Sequence, residues 1–300
     1  MEKDLYINRS YSACIKAAYV LFSSNMKTIL KRTWLPALLC AIFFTAAFLF
    51  SIPDKNIHDL GMSHSNITGS LMAFVYLLNF AASTWLVATV ASLLNGKTIK
   101  GNLFRSVMLT GIQLILMILY IFIINFGSSF VTSFLISSKL ATVPHAIIGG
   151  YVTALVILLL LFVFSLPFAF STTRYIIDHE TKLSEVFSHG YKMGLRHWGY
   201  QFTTYFLATL LLIVVTFIIL IPLLVISMAQ TFNQLGMLDG DANGAPGYFF
   251  WLLTATSLLT MYVITYVVIW CLFLSYYIYG SIETKEKNKK VKLKKQENYE

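Results

Sequence analysis

Six stretches of this chain, 34–52, 70–94, 107–126, 146–171, 201–229 and 248–280, contain no Asp, Glu, Lys or Arg. Each is long enough to cross a hydrocarbon core about 30 Å thick, which takes roughly 20 apolar residues in a helix. Backbone polar groups have no water to bond in lipid, so a spanning segment must satisfy them within itself or in a closed barrel. A barrel would alternate apolar and polar residues over segments of ~10 residues. These runs are continuous, and the spacing predicts helices. Composition agrees: 57% of the 300 residues are hydrophobic and 12% are charged, against roughly 25% charged in a soluble domain. The fold class expected is an all-α integral membrane protein with six transmembrane helices.

The basic residues set the threading. Twenty of the 22 Lys and Arg fall in 1–33, 95–106, 172–200 and 281–300, all on one side of the spans. The opposite side holds only Lys55 and Lys139, with Asp54, Asp59, Asp239 and Asp241. Lys and Arg remain in the cytoplasm, so both termini are expected there. Thirty-three mostly polar or amphipathic residues precede the first span, which reads as an uncleaved anchor rather than a signal peptide. The formal charge of +9 follows from this asymmetry and does not call for a nucleic-acid partner.

Between spans the informative pieces are amphipathic. In the inner segment 182–199, Leu183, Val186, Phe187, Gly190, Tyr191, Gly194, Leu195 and Trp198 recur at steps of three and four, which places them on one helical face. Lys182, Glu185, His189, Lys192, Arg196 and His197 fall mainly opposite. Such a helix lies in the interface or packs on the bundle. Gly190 and Gly194 weaken it but permit close backbone approach, so docking is expected. The residues of 1–33 show a similar face, with Tyr11, Cys14, Ile15, Ala18, Phe22, Met26 and Ile29 aligned, and a shorter element precedes the third span. An inner amphipathic element therefore leads into each of spans one, three and five. The basic tail 281–300 is expected to be disordered. Pro167 and Pro222 lie inside spans four and five, and each removes a backbone donor.

The run SLPFAFSTTRYIIDHETKLSEVFSHGYKMGLRHWGYQF around Pro167 joins a membrane proline, a short polar stretch, an amphipathic L-S-E-x-F-x-x-G-Y-x-x-G helix and a new span. It resembles the central pattern of several six-span bacterial membrane families, among them the membrane domain fused to some glycerophosphodiester phosphodiesterases. The opening run YSACIKAAYVLFSSNMKTILKRTWLPALL is similar to their first helix and span. The resemblance covers about a third of the chain. It implies an envelope membrane protein, expected in a bacterial cytoplasmic membrane, and carries over no catalytic residue.

Sites for chemistry are sparse. Asp239, Asp241 and Asn243 have the spacing that opens a calcium loop, but Phe250 stands where the twelfth-position carboxylate is required, and Asp, Asn and Gly are ordinary turn formers. None of the six histidines forms a zinc-ligand pair. Cys14, Cys40 and Cys271 lack metal or redox spacing. Within the spans, Asn79, Ser83, Gln113 and Asn125 can hydrogen-bond between helices. Lys182, Lys192, Arg196 and His197 can meet lipid headgroups or a partner. The expected protein is a non-enzymatic module interacting with membrane lipids or other proteins, with no cofactor. The alternative is a transporter or permease subunit for an apolar or lipid-like substrate, with the two proline kinks as moving parts.

Overall fold

The computed structural model describes residues 5–51, 65–140, 142–238 and 244–297. All regular structure among them is helical. Six helices are long and apolar enough to cross a membrane. In chain order the helices are α1 (Tyr11–Ser24), α2 (Met26–Ser51), α3 (Ser65–Asn95), α4 (Ile99–Ser137), α5 (Val143–Ile177), a single turn α6 (Leu183–Glu185), α7 (Tyr191–Arg196), α8 (Trp198–Leu238) and α9 (Phe249–Glu297). A π-helical turn, Val186–Gly190, joins α6 to α7. The spanning helices are α2, α3, α4, α5, α8 and α9.

Several helices outrun the apolar stretches that define them. At 1.5 Å per residue, α4 is about 58 Å long and α9 about 73 Å, roughly twice the hydrocarbon thickness. The segment 127–145 reads as a loop, yet only residues 138–142 separate α4 from α5. In the part that joins α4, 127–137, the polar residues are all serine and threonine, and some bond back to their own helix, Thr132 Oγ1 donating to Ser128 O at 2.9 Å and Ser128 Oγ to Asn125 O at 3.2 Å. They are therefore no obstacle to continuing it. The tail likewise departs from the expectation of disorder: α9 runs unbroken to Glu297. No Gly or Pro follows Gly280, the residues are good helix formers, and the span has already nucleated the helix.

The three amphipathic elements are realised differently. Before the first span, α1 is a separate helix with a joint at Asn25. Before the third, the element is fused into α4. Before the fifth, the single helix expected over 182–199 is interrupted by the π turn and by a joint at His197, whose backbone has φ −107° and ψ 22°.

The chain divides into two compact units. The first comprises the described residues of 10–103 and 206–277. Here α2 and α3 pack together, with Cys40 Sγ 3.8 Å from Ser83 Oγ between them. Small residues, Ala37 and Ala41 on α2 and Ala82, Ala88 and Ala91 on α3, are buried, as helices need when no hydrophobic force drives them together in lipid. Gly96, with φ +71°, ends α3 in the left-handed conformation that glycine adopts without strain. The amides of Asn95 and Asn102 then pair across the turn, at 2.8 and 3.2 Å. Helix α1 docks on α9 through Cys14 and through the Phe22–Phe273 ring contact at 6.2 Å. Its buried face is Cys14, Ala18 and Leu21, while Tyr11 at the edge of the predicted face is exposed.

The second unit comprises the described residues of 5–9, 104–205 and 278–297. It contains many polar contacts between described residues far apart in the chain, and the candidate site lies in it.

Candidate functional site

The site is built on the C-terminal part of α5. Pro167 has no N–H, so the carbonyl of Val163 loses its helical partner. The indole Nε1 of Trp198 donates to that carbonyl at 3.3 Å. One residue along, the hydroxyl of Tyr191 donates to Phe164 O at 3.4 Å. Gly194 presses on Pro167: a Cβ there would lie 2.7 Å from its carbonyl oxygen and 2.9 Å from its Cα. A Cβ on Gly190 would lie 2.9 Å from Ser171 Oγ. The pairs 190/171, 194/167 and 198/163 step by four residues in opposite directions. The segment 186–198 thus runs antiparallel to α5 along a stripe of glycines. The docking expected from the sequence is realised, and it uses the proline as its seat. Phe168 completes it, with ring contacts to Phe187 at 5.8 Å and Tyr191 at 4.6 Å.

The extension of α9 crosses the same place. The Glu286 side chain is only 6% exposed. Its Oε1 lies 2.7 Å from His197 Nε2 and its Oε2 3.3 Å from Arg196 Nη1. An ionised carboxylate only accepts, so the histidine nitrogen donates. Glu286 stands beyond the apolar stretch of its helix. Burial alone would raise its carboxyl pKa, but the hydrogen bond from His197 and the charges of His197 and Arg196 outweigh that and hold it below the ordinary range. One turn back, Glu283 faces Arg174 at 3.8 Å, and Arg174 also meets His189 Nδ1 at 3.1 Å.

Two further devices fix the surroundings. Arg105, near the start of α4, donates to four carbonyls at the end of α5: Tyr175, Asp178 at 3.0 Å, His179 and Thr181 at 3.1 Å. A helix end leaves such carbonyls without intrahelical donors, and the guanidinium fork supplies them while lying over the Tyr175 ring at 4.5 Å. The strap 5–9 is tied to the base of the α9 extension. Arg9 N donates to Ser281 Oγ at 3.1 Å, and the Tyr200 hydroxyl lies 2.8 Å from Arg9 O and 2.9 Å from Ser281 Oγ. Gly280 leaves no room for a side chain beside Leu5.

The residues singled out in the sequence divide accordingly. Arg196 and His197 are brought together, but on Glu286 rather than toward headgroups. Arg196 remains 63% exposed along its side chain. Lys182 and Lys192 are exposed, and neither has an acidic partner among the described residues. Ser83 makes the interhelical contact expected of it, whereas Asn125 is exposed and donates to Ile121 O of its own helix at 2.8 Å. Gln113 is exposed. The Oδ1 of Asn79 is buried without a hydrogen-bond partner among the described residues. Asp239, Asp241 and Asn243 lie outside the described residues. Among those described, no cluster of three or more His, Cys, Asp or Glu is arranged to hold a metal ion. Sequence reasoning missed Glu286, Arg105, Tyr200 and the donor role of Trp198. One signal was available: Glu286 is an acid inside a run of lysines.

The fold and this face define a polytopic helical membrane protein with a buttressed bundle of helix ends on its basic side. Family models, curated proteins and solved structures provide no match to the chain.

Proposed function

We propose that this chain is a non-enzymatic module of a bacterial cytoplasmic membrane, with both termini cytoplasmic, whose basic face contacts anionic lipid headgroups and partner proteins. The observation that carries this reading is the docking of 186–198 along α5. It leaves Lys192, Phe187 and Leu195 exposed on the docked segment, near the level where the apolar stretch of α5 ends. Apolar rings and chains with an adjacent unpaired ammonium suit a headgroup boundary, where a lysine stem lies along the lipid and its charge meets phosphate. Arg196 and His197 serve the module from behind, by fastening the segment to Glu286.

The transporter reading would use Pro167 as a hinge. Trp198, Tyr191 and Gly194 all fasten that turn, which favours a static module. The test is the content of anionic lipid retained on purification from native membranes. The Lys182→Gln/Lys192→Gln double variant is expected to retain less than the wild type. Equal retention, with insertion intact, would count against the reading.

A further inference from the structure

The α9 extension beyond Gly280 carries seven lysines against three glutamates up to Glu297. Two of those acids are already engaged, Glu283 with Arg174 and Glu286 with Arg196 and His197. Lys287, Lys289, Lys290, Lys292 and Lys295 are exposed and form no ion pair among the described residues. Lys287/Lys290, Lys289/Lys292 and Lys292/Lys295 are each three apart, where like charges on a helix repel.

Three features argue against lipid as the ligand of these lysines. The base of the extension is clamped at Ser281, Glu283 and Glu286, and no glycine or proline beyond it offers a bend. Its lysines occupy every side of the helix, and beyond the clamped base only Val291 and Leu293 are apolar, so it lacks the stripe that an interfacial helix buries. At 1.5 Å per residue, Lys287 stands about 10 Å beyond Gly280 along the axis and Lys295 about 22 Å. The headgroup layer is only about 5–8 Å thick, and the field of the membrane decays within about 8 Å at physiological salt.

The choice of cation is also informative. Arg9, Arg105, Arg174 and Arg196 all bond within the unit, and the extension contains lysine only. Arginine is the residue whose planar fork grips a carboxylate or a phosphate in two places, so an all-lysine rod suits diffuse attraction to a run of negative charge better than a fixed bidentate site.

We propose that residues 287–295 form a docking rod, held off the bilayer by its clamped base, for a glutamate- and aspartate-rich segment of a partner protein on the basic side of the membrane. This deepens the reading of the chain as an interaction module. The two fail separately, because lipid retention by Lys182 and Lys192 is measured without reference to the rod.

The full chain is reconstituted in phosphatidylcholine nanodiscs and titrated with a short fluorescent poly-L-glutamate. Binding is expected to weaken as salt rises. It should fall about tenfold or more when Lys287, Lys289, Lys290, Lys292 and Lys295 are all changed to Gln, and return when the same five are changed to Arg, since long-range charge carries the interaction. A Val291→Cys spin label should remain accessible to a water-soluble relaxation agent when phosphatidylglycerol is added, with peptide binding retained. The proposal is overturned if the Lys→Gln variant binds equally well, if phosphatidylglycerol shields the label or displaces the peptide, or if a double-stranded RNA of equal charge binds more tightly.

Discussion

Replacing Gly194 with Ala tests whether the segment before α8 is truly seated on Pro167. Alanine is the better helix former by about 0.8–1.0 kcal/mol, so propensity alone forecasts stabilisation. The structure forecasts the reverse. The new methyl would stand 2.7 Å from Pro167 O, 2.9 Å from its Cα and 3.0 Å from its Cβ. All three are atoms of a residue fixed inside a helix and cannot step aside as a side-chain tip would. Relieving them means separating the two backbones, and overpacking of this kind costs typically about 1–3 kcal/mol. Separation also strains the Trp198–Val163 hydrogen bond, already 3.3 Å long, whose net contribution is about 1 kcal/mol. The balance is a destabilisation of about 1–2 kcal/mol, a roughly 5–30-fold shift in an opening equilibrium.

Gly199→Ala is the internal control. It lies five residues away, and a Cβ there meets nothing within 4 Å. Hydrogen–deuterium exchange in nanodiscs is the assay, read on the amides of 183–201. Gly194→Ala should speed exchange by the stated factor, and Gly199→Ala should leave it unchanged or slow it. Equal behaviour of the two variants would refute the seating.

Two other outcomes follow from the same contacts. Trp198→Phe removes the donor from the part-buried Val163 carbonyl and should destabilise by about 1 kcal/mol, the net contribution of such a bond; adding Pro167→Ala restores a helical N–H to that carbonyl, so a thermal-unfolding double-mutant cycle should show strong coupling rather than additivity. The depressed carboxyl of Glu286 contributes stability that is present above the ordinary carboxylate range and lost as pH falls through its folded value; protection of 183–201, corrected for intrinsic exchange, should therefore drop at acidic pH in the wild type but not in Glu286→Gln.

Much of the architecture was legible because lipid makes a simple demand. An uncharged run of twenty residues must be a helix, and the runs announced themselves. The glycines at 190 and 194 were legible too, since small residues four apart permit close approach whatever the partner. The partner was not: Pro167 could be read as a hinge, and only the arrival of Trp198 and Gly194 makes it a seat. The pattern puts Arg196 and His197 on a polar face but gives no sign of their contact with Glu286, which lies about ninety positions away. Helix ends were the least legible. The chain past Phe126 and past Gly280 is polar enough to resemble loop, yet serines and threonines that bond back to their own carbonyls, and lysines beyond a helix already formed, extend it at little cost.

The sequence by itself thus determined the solvent, the number of spans and the sorting of charge to one side, because transfer of a charge or a bare peptide group into hydrocarbon costs so much that composition alone answers. The tertiary structure decided which basic residues are spent inside and which are left to act outside. That division depends on distances between helix ends far apart in sequence, where an interaction of about 1 kcal/mol is won or lost within an ångström, and local pattern carries no record of it.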